Sequence, residues 1–111
     1  MVLENKENLA IGEFERALRE KFGKRVRSVL LYGSKARGDS ERHSDLDLFV
    51  LVDKEDRELR DFTLATAYEL NLKYDVVLAF VICDEDRINN PVAKITPFYK
   101  NVFREGKKIE P

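Results

Sequence analysis

The chain has 111 residues, 43% hydrophobic and 37% charged, which excludes a disordered polymer and suits one domain, residues 1–111, around one core. Its 20 Lys and Arg against 21 Asp and Glu leave a net charge of −1, so no overall positive field exists to hold a long DNA or RNA duplex. The single cysteine, Cys83, excludes an internal disulfide and a cysteine-based zinc centre, and neither a signal-peptide apolar region nor a run approaching ~18 apolar residues is present, so a cytoplasmic protein without a membrane partner is expected.

Apolar residues at Ile11, Phe14, Leu18 and Phe22 follow helical spacing and predict an amphipathic helix over Glu7–Phe22, stopped by Gly23. Val26–Tyr32 is short and rich in β-formers, a buried strand that ends at Gly33. Ser34–Arg37 is read as one helical turn, and the wholly polar Gly38–Ser44 as a surface loop. Leu46–Val52 is a second strand, apolar on both faces from Leu48 onward and therefore central in a sheet. Turn and cap signals in Asp53–Asp56 open a helix that reaches Leu72, with Leu59, Phe62, Thr63, Thr66 and Leu70 on one stripe. Asp75–Ile82 is read as a third strand. Asp84–Asp86 begins a short turn that Asn89-Asn90-Pro91 breaks, and Thr96-Pro97 starts a last helix to about Glu105 with Tyr99, Val102 and Phe103 inward. The tail after Gly106 is left as an edge segment or a frayed end. This order predicts an α/β fold, a small mixed β-sheet flanked by helices.

The chemistry concentrates in Leu30–Val52. Asp45 and Asp47 sit at the entrance of the second strand, at alternate positions that face one way with Cα atoms about 6.5–7 Å apart. Two carboxylates on one face repel unless a cation lies between them, and together with phosphate oxygens and water they suit Mg²⁺. Asp75, opening a strand that otherwise buries nearly everything, is the candidate third carboxylate if its strand neighbours the second; three acids on adjacent strand ends suit metal-dependent nucleotidyl transfer. Gly33 lets backbone approach a phosphate, Ser34 and the N–H groups after it donate to phosphate oxygens, and Arg37 carries the fork that pairs with phosphate. Lys35 is read as an exposed charge on the phosphate side, His43 as a solvated loop residue and Cys83 as a buried small hydrophobe. Tyr32, Tyr68, Tyr74 and Tyr99 are assigned to core or interface packing.

Gly33-Ser34, ten intervening residues and Asp45-x-Asp47 resemble the signature of the DNA-polymerase-β-like nucleotidyltransferases. More closely, most of the chain is similar to the minimal nucleotidyltransferases (MNT proteins) that act as antitoxins beside HEPN ribonuclease toxins. The resemblance implies the palm-like nucleotidyltransferase fold and a Mg²⁺-dependent enzyme. Gly33, Ser34 and Arg37 would hold ATP, Asp45 and Asp47 the metal, and Asp75 would complete the metal site or take the acceptor's proton. It further implies a HEPN-type toxin, encoded by a neighbouring gene, as partner, adenylylated on a tyrosine. A small-molecule or nucleic-acid acceptor, or a stoichiometric antitoxin that only blocks its toxin, keeps the same residues. The acceptor, the nucleobase and the oligomeric state, including a homo-oligomer, are open at this stage. Only about 28 residues follow the third strand, little to build an acceptor pocket, which favours an acceptor delivered on another macromolecule.

Overall fold

The computed structural model describes residues 3–38 and 45–109. Helix α1 (Asn5–Phe22) starts where the Glu4 backbone N–H donates to the Glu7 carboxylate at 2.8 Å, and a 3₁₀ turn at Gly23–Arg25 delivers the chain into β1 (Val26–Tyr32). The one-turn helix α2 (Ser34–Arg37) follows Gly33 directly, and β2 (Leu46–Val52) begins just after Asp45. Helix α3 (Arg57–Tyr74) is capped by Asp56, whose side chain accepts the Leu59 N–H at 2.8 Å. It is the crossover from β2 to β3 (Leu78–Asp84). Three short helices, α4 (Glu85–Ile88), α5 (Pro91–Ile95) and α6 (Pro97–Glu105), precede the two-residue β4 (Lys107–Lys108).

The sheet order is β3-β2-β1-β4, with β1 antiparallel to β2 and β4, and β2 parallel to β3. This is the expected mixed sheet, with β2 inside it. Alternation along the strands assigns each side chain to one of two faces. Val29 and Leu31 of β1, Leu46, Leu48, Val50 and Val52 of β2, and Leu78 and Ile82 of β3 share one buried cluster with Phe14 and Leu18 of α1 and Leu59 and Leu70 of α3. Phe49, Cys83 and Val102 form a smaller core on the other face, flanked by Leu30, Tyr32, Val81 and Tyr99. Asp47 lies between Leu46 and Leu48 in sequence and so points to this second, thinly covered face. Cys83 is buried as expected, and burial raises its thiol pKa.

Several features differ from the sequence expectation. Helix α3 continues through Tyr74 and β3 begins only at Leu78, because Asp75 closes the helix in the left-handed region (φ 54°), a conformation that aspartate tolerates. Asp75 therefore caps a helix and does not open a strand. Asn90-Pro91 starts a helix as well as ending one: the Asn90 side chain accepts the Val92 N–H at 2.8 Å and proline takes the first helical position. Phe103, expected inward, is half exposed, while Val102 is fully buried and Tyr99 half-buried. The tail does pair as an edge strand, extended by the Ile109 N–H donating to the Val29 carbonyl at 2.8 Å.

Candidate active site

The site lies where β1 ends and β2 begins. Tyr32 and Asp47 are register partners across the antiparallel pair, so the Gly33 turn that follows Tyr32 is held against the Asp47 side chain. Gly33 has φ 77° and ψ −158°, a conformation open essentially to glycine alone. A β-carbon there would stand 2.5 Å from Asp47 Oδ2. Glycine is thus required twice, by its own backbone and by the carboxylate it faces. The turn is closed by Arg37 N–H donating to the Gly33 carbonyl at 3.1 Å and Gly38 N–H donating to the Ser34 carbonyl at 3.0 Å.

The charge of Asp45 acts on Asp47. Burial first, and the neighbouring charge of Asp45 second, push the Asp47 carboxyl above the usual aspartate range, while Arg37 pulls it back. Arg37 also bonds Glu105 of α6 at 3.1 Å, which ties the turn to the helix covering the second face. Beside Asp47, burial and the same carboxylate raise the Tyr32 phenol above its ordinary value. Tyr32 packs edge-on against Phe98 at the start of α6, ring centroids 5.7 Å apart, and leaves one wall of the site aromatic.

Gly33, Ser34, Arg37, Asp45 and Asp47 are therefore brought to one end of the sheet. Asp75 is not among them. Its side chain is fully exposed, its carbonyl accepts from Lys6 Nζ at 3.0 Å and its carboxylate lies 3.9 Å from the same ammonium. The β2–β3 register instead places Ala79 beside Asp47 on the shared face. Among the described residues no three carboxylate, histidine or cysteine side chains cluster to hold a metal. Gly38 is described, whereas His43 and the rest of 39–44 lie outside the described residues.

Lys35 is the residue that sequence reasoning misplaced. Its side chain is 1% exposed and forms an ion pair of 2.9 Å with Glu7, itself 6% exposed. The burial of both follows from α2 turning towards α1, where Ala36 joins the larger core. A signal was available. Glu7 occupies the apolar stripe of α1 with Ala10, Ile11 and Phe14, and a carboxylate on a buried stripe requires a buried cation.

The nucleotidyltransferase domain model matches residues 11–109 of the chain. The chain belongs to that family of nucleotidyltransferase enzymes. It is 34% identical over 103 residues to a Methanocaldococcus jannaschii protein named "Putative protein adenylyltransferase MJ0604", covering 93% of this chain and 97% of that one. A second protein of that organism, "Putative protein adenylyltransferase MJ0141", is 34% identical over 76 residues, 65% of this chain and 74% of its own length. Among solved structures, the fold is shared with a toxin-antitoxin complex, MntA-HpeT (TM-score 0.56, 20% identity, 94% of this chain and 71% of that one). It is shared also with a toxin-antitoxin structure containing AMP-PNP (TM-score 0.54, 21% identity, 95% and 72% covered). No helix among the described residues is long and apolar enough to cross a membrane.

Proposed function

We propose that the chain transfers AMP from ATP, with Mg²⁺, to a tyrosine hydroxyl of a HEPN-type ribonuclease toxin encoded beside it, and so acts as its antitoxin in the cytoplasm. The observation that carries the chemical half is Asp47 at the start of β2, packed against the Gly33 turn and near enough to Asp45 for that charge to raise its carboxyl. The protein-acceptor half is supported by the names of the Methanocaldococcus relatives and by the toxin-antitoxin assemblies that share the fold.

The donor set fits the metal. Two carboxylate oxygens on one side of a strand are hard ligands, and an Asp47 carboxyl held up by burial and by Asp45 is a group whose ionised form gains most from a cation. Asp45 and Asp47 would hold Mg²⁺, which when bound supplies positive charge to a triphosphate at the moment of transfer. The backbone N–H groups of the Gly33-Ser34 turn and the Ser34 hydroxyl donate to the phosphate oxygens, with Arg37 beside them as a charged donor. Held there, the α-phosphate meets the acceptor oxygen; the tyrosine O–H bond breaks with its proton passing to solvent water, an oxygen–phosphorus bond forms, the bond to the β-phosphate breaks and pyrophosphate leaves. Tyr32 and Phe98, in edge-on contact, give one side of this space an aromatic wall. Asp75, at the cap of α3, takes no part in the proposed step.

The test is mass spectrometry of the neighbouring gene's protein after incubation with the chain, ATP and Mg²⁺. A gain of one or more adenylate groups on a tyrosine, lost with Asp45→Asn, is the result expected. Neutralisation of the toxin with no change in mass would support blocking instead. Adenylate found only on a small molecule or a nucleic-acid end would move the acceptor.

A further inference from the structure

Helix α3 buries Leu59, Thr63, Thr66, Ala67 and Leu70 against the sheet and α1, yet its outer side is also apolar. Leu64, Tyr68 and Leu72 are 60%, 66% and 71% exposed, spaced four residues apart. At 100° per residue, Arg57, Asp61, Leu64, Tyr68 and Leu72 fall within roughly 80° of arc, one straight seam facing solvent, and the exposed cap residue Asp75 follows at its C-terminal end. Single exposed hydrophobics are ordinary on a soluble protein; three in line on one helix are an unburied packing face.

The charges along this seam say what covers it. It carries Arg57 at its first turn and Asp75 at its last, both with largely exposed side chains. The midpoint between Arg57 and Asp75 is also the midpoint between Leu64 and Tyr68. An identical helix laid antiparallel across it, related by a two-fold axis at that level, sets Leu64 against the mate's Tyr68 and Arg57 against the mate's Asp75. Both contacts occur twice. Leu72 comes level with the mate's Arg60, beside Asp61, and the aliphatic stem of Arg60 can cover it. A surface complementary to itself in shape class and charge is the requirement of an isologous dimer. The other ion pairs near the seam are local and loose: Arg57 with Asp61 at 3.6 Å and Asp75 with Lys6 at 3.9 Å. Exposed pairs of that kind are cheap to rearrange.

We propose that this face of α3 is a homodimer interface, an antiparallel α3–α3 pair about a two-fold axis. The axis falls on the helical side of the sheet, so Asp45 and Asp47, on the opposite face, stay open in both subunits. The proposal does not depend on the acceptor or on the activity.

Sedimentation equilibrium on the intact chain tests it. The wild type is expected to be dimeric at tens of micromolar. Tyr68→Glu and Leu64→Glu should each weaken the dimer at least tenfold while leaving the circular dichroism spectrum unchanged, because both side chains are on the outside. Arg57→Glu alone and Asp75→Lys alone should each weaken it several-fold, and the double variant should recover to within about threefold of wild type. A wild type that stays monomeric at 100 µM overturns the proposal, as does a dimer indifferent to Leu64 and Tyr68. Charge variants whose losses simply add would overturn the Arg57–Asp75 pairing. A stripe that leaves the chain monomeric and binds only the toxin would assign the face to that partner instead.

Discussion

Asp47 is stabilised least in the ionised form that the proposed metal binding would need. Burial and Asp45 raise its carboxyl, so the folded chain keeps this proton to higher pH than the unfolded chain does. The associated stability is complete below the ordinary aspartate value, about pH 4, and is lost as pH rises through the raised folded value. At neutral pH the ionised side chain therefore costs the empty protein stability. Asp47→Asn should raise the melting temperature in EDTA by a few degrees and abolish nucleotidyl transfer, a trade typical of functional carboxylates. Gly33→Ala forces a β-carbon into the space of Asp47 Oδ2 and into a glycine-only conformation. It should cost about 1–3 kcal/mol in urea unfolding and lower transfer at least tenfold. Lys35→Met leaves the Glu7 carboxylate buried without its cation, which should cost roughly 3–5 kcal/mol. Adding Glu7→Gln should recover much of that loss, measured by the same denaturation. The closeness of Asp45 and Asp47 is legible in the sequence because they stand two positions apart where a strand begins. The burial of Lys35 takes a longer reach to read, because its sign is Glu7 on the buried stripe of α1, 28 positions earlier.

At the scale of elements, β1, α2, β2 and α6 lie where residue patterns place them, with proline and glycine marking their ends. The error concentrates at the α3–β3 junction. Tyr74-Asp75-Val76-Val77 is β-rich and reads as the start of a strand. In the fold the helix extends two residues past the expected Leu72 and closes on Asp75, whose N–H donates to the Asn71 carbonyl. The Asn71 side chain then accepts the Leu78 N–H at 2.8 Å and starts β3. Nothing local in the sequence separates a left-handed cap from a strand opening at an aspartate. The consequence is functional, since the position beside Asp47 on β3 belongs to Ala79. Asp75→Gly, which suits a positive φ better than any other residue, should hold stability within about 1 kcal/mol and leave transfer intact.

The whole molecule divides its work between two sheet faces. One carries α1 and α3 and most of the core; the other carries Asp47, Tyr32 and the thin cover of α6. A strand pair that must expose two carboxylates at one end is made rigid by packing the opposite side. This division is visible in β2, where Leu46, Leu48, Val50 and Val52 alternate with Asp47, Phe49 and Leu51. The sequence does not declare which helices lie on which face, because that depends on the β1–β2 pairing and on the direction of the crossover. The composition of the metal site is the claim on which the rest turns. Titration of Mn²⁺, followed by its electron paramagnetic resonance signal in the presence of a non-hydrolysable ATP analogue, measures it directly. Asp45→Asn and Asp47→Asn should each weaken binding at least tenfold, with Asp75→Asn within twofold of wild type. Binding lost with Asp75→Asn, or retained with Asp47→Asn, would contradict the account.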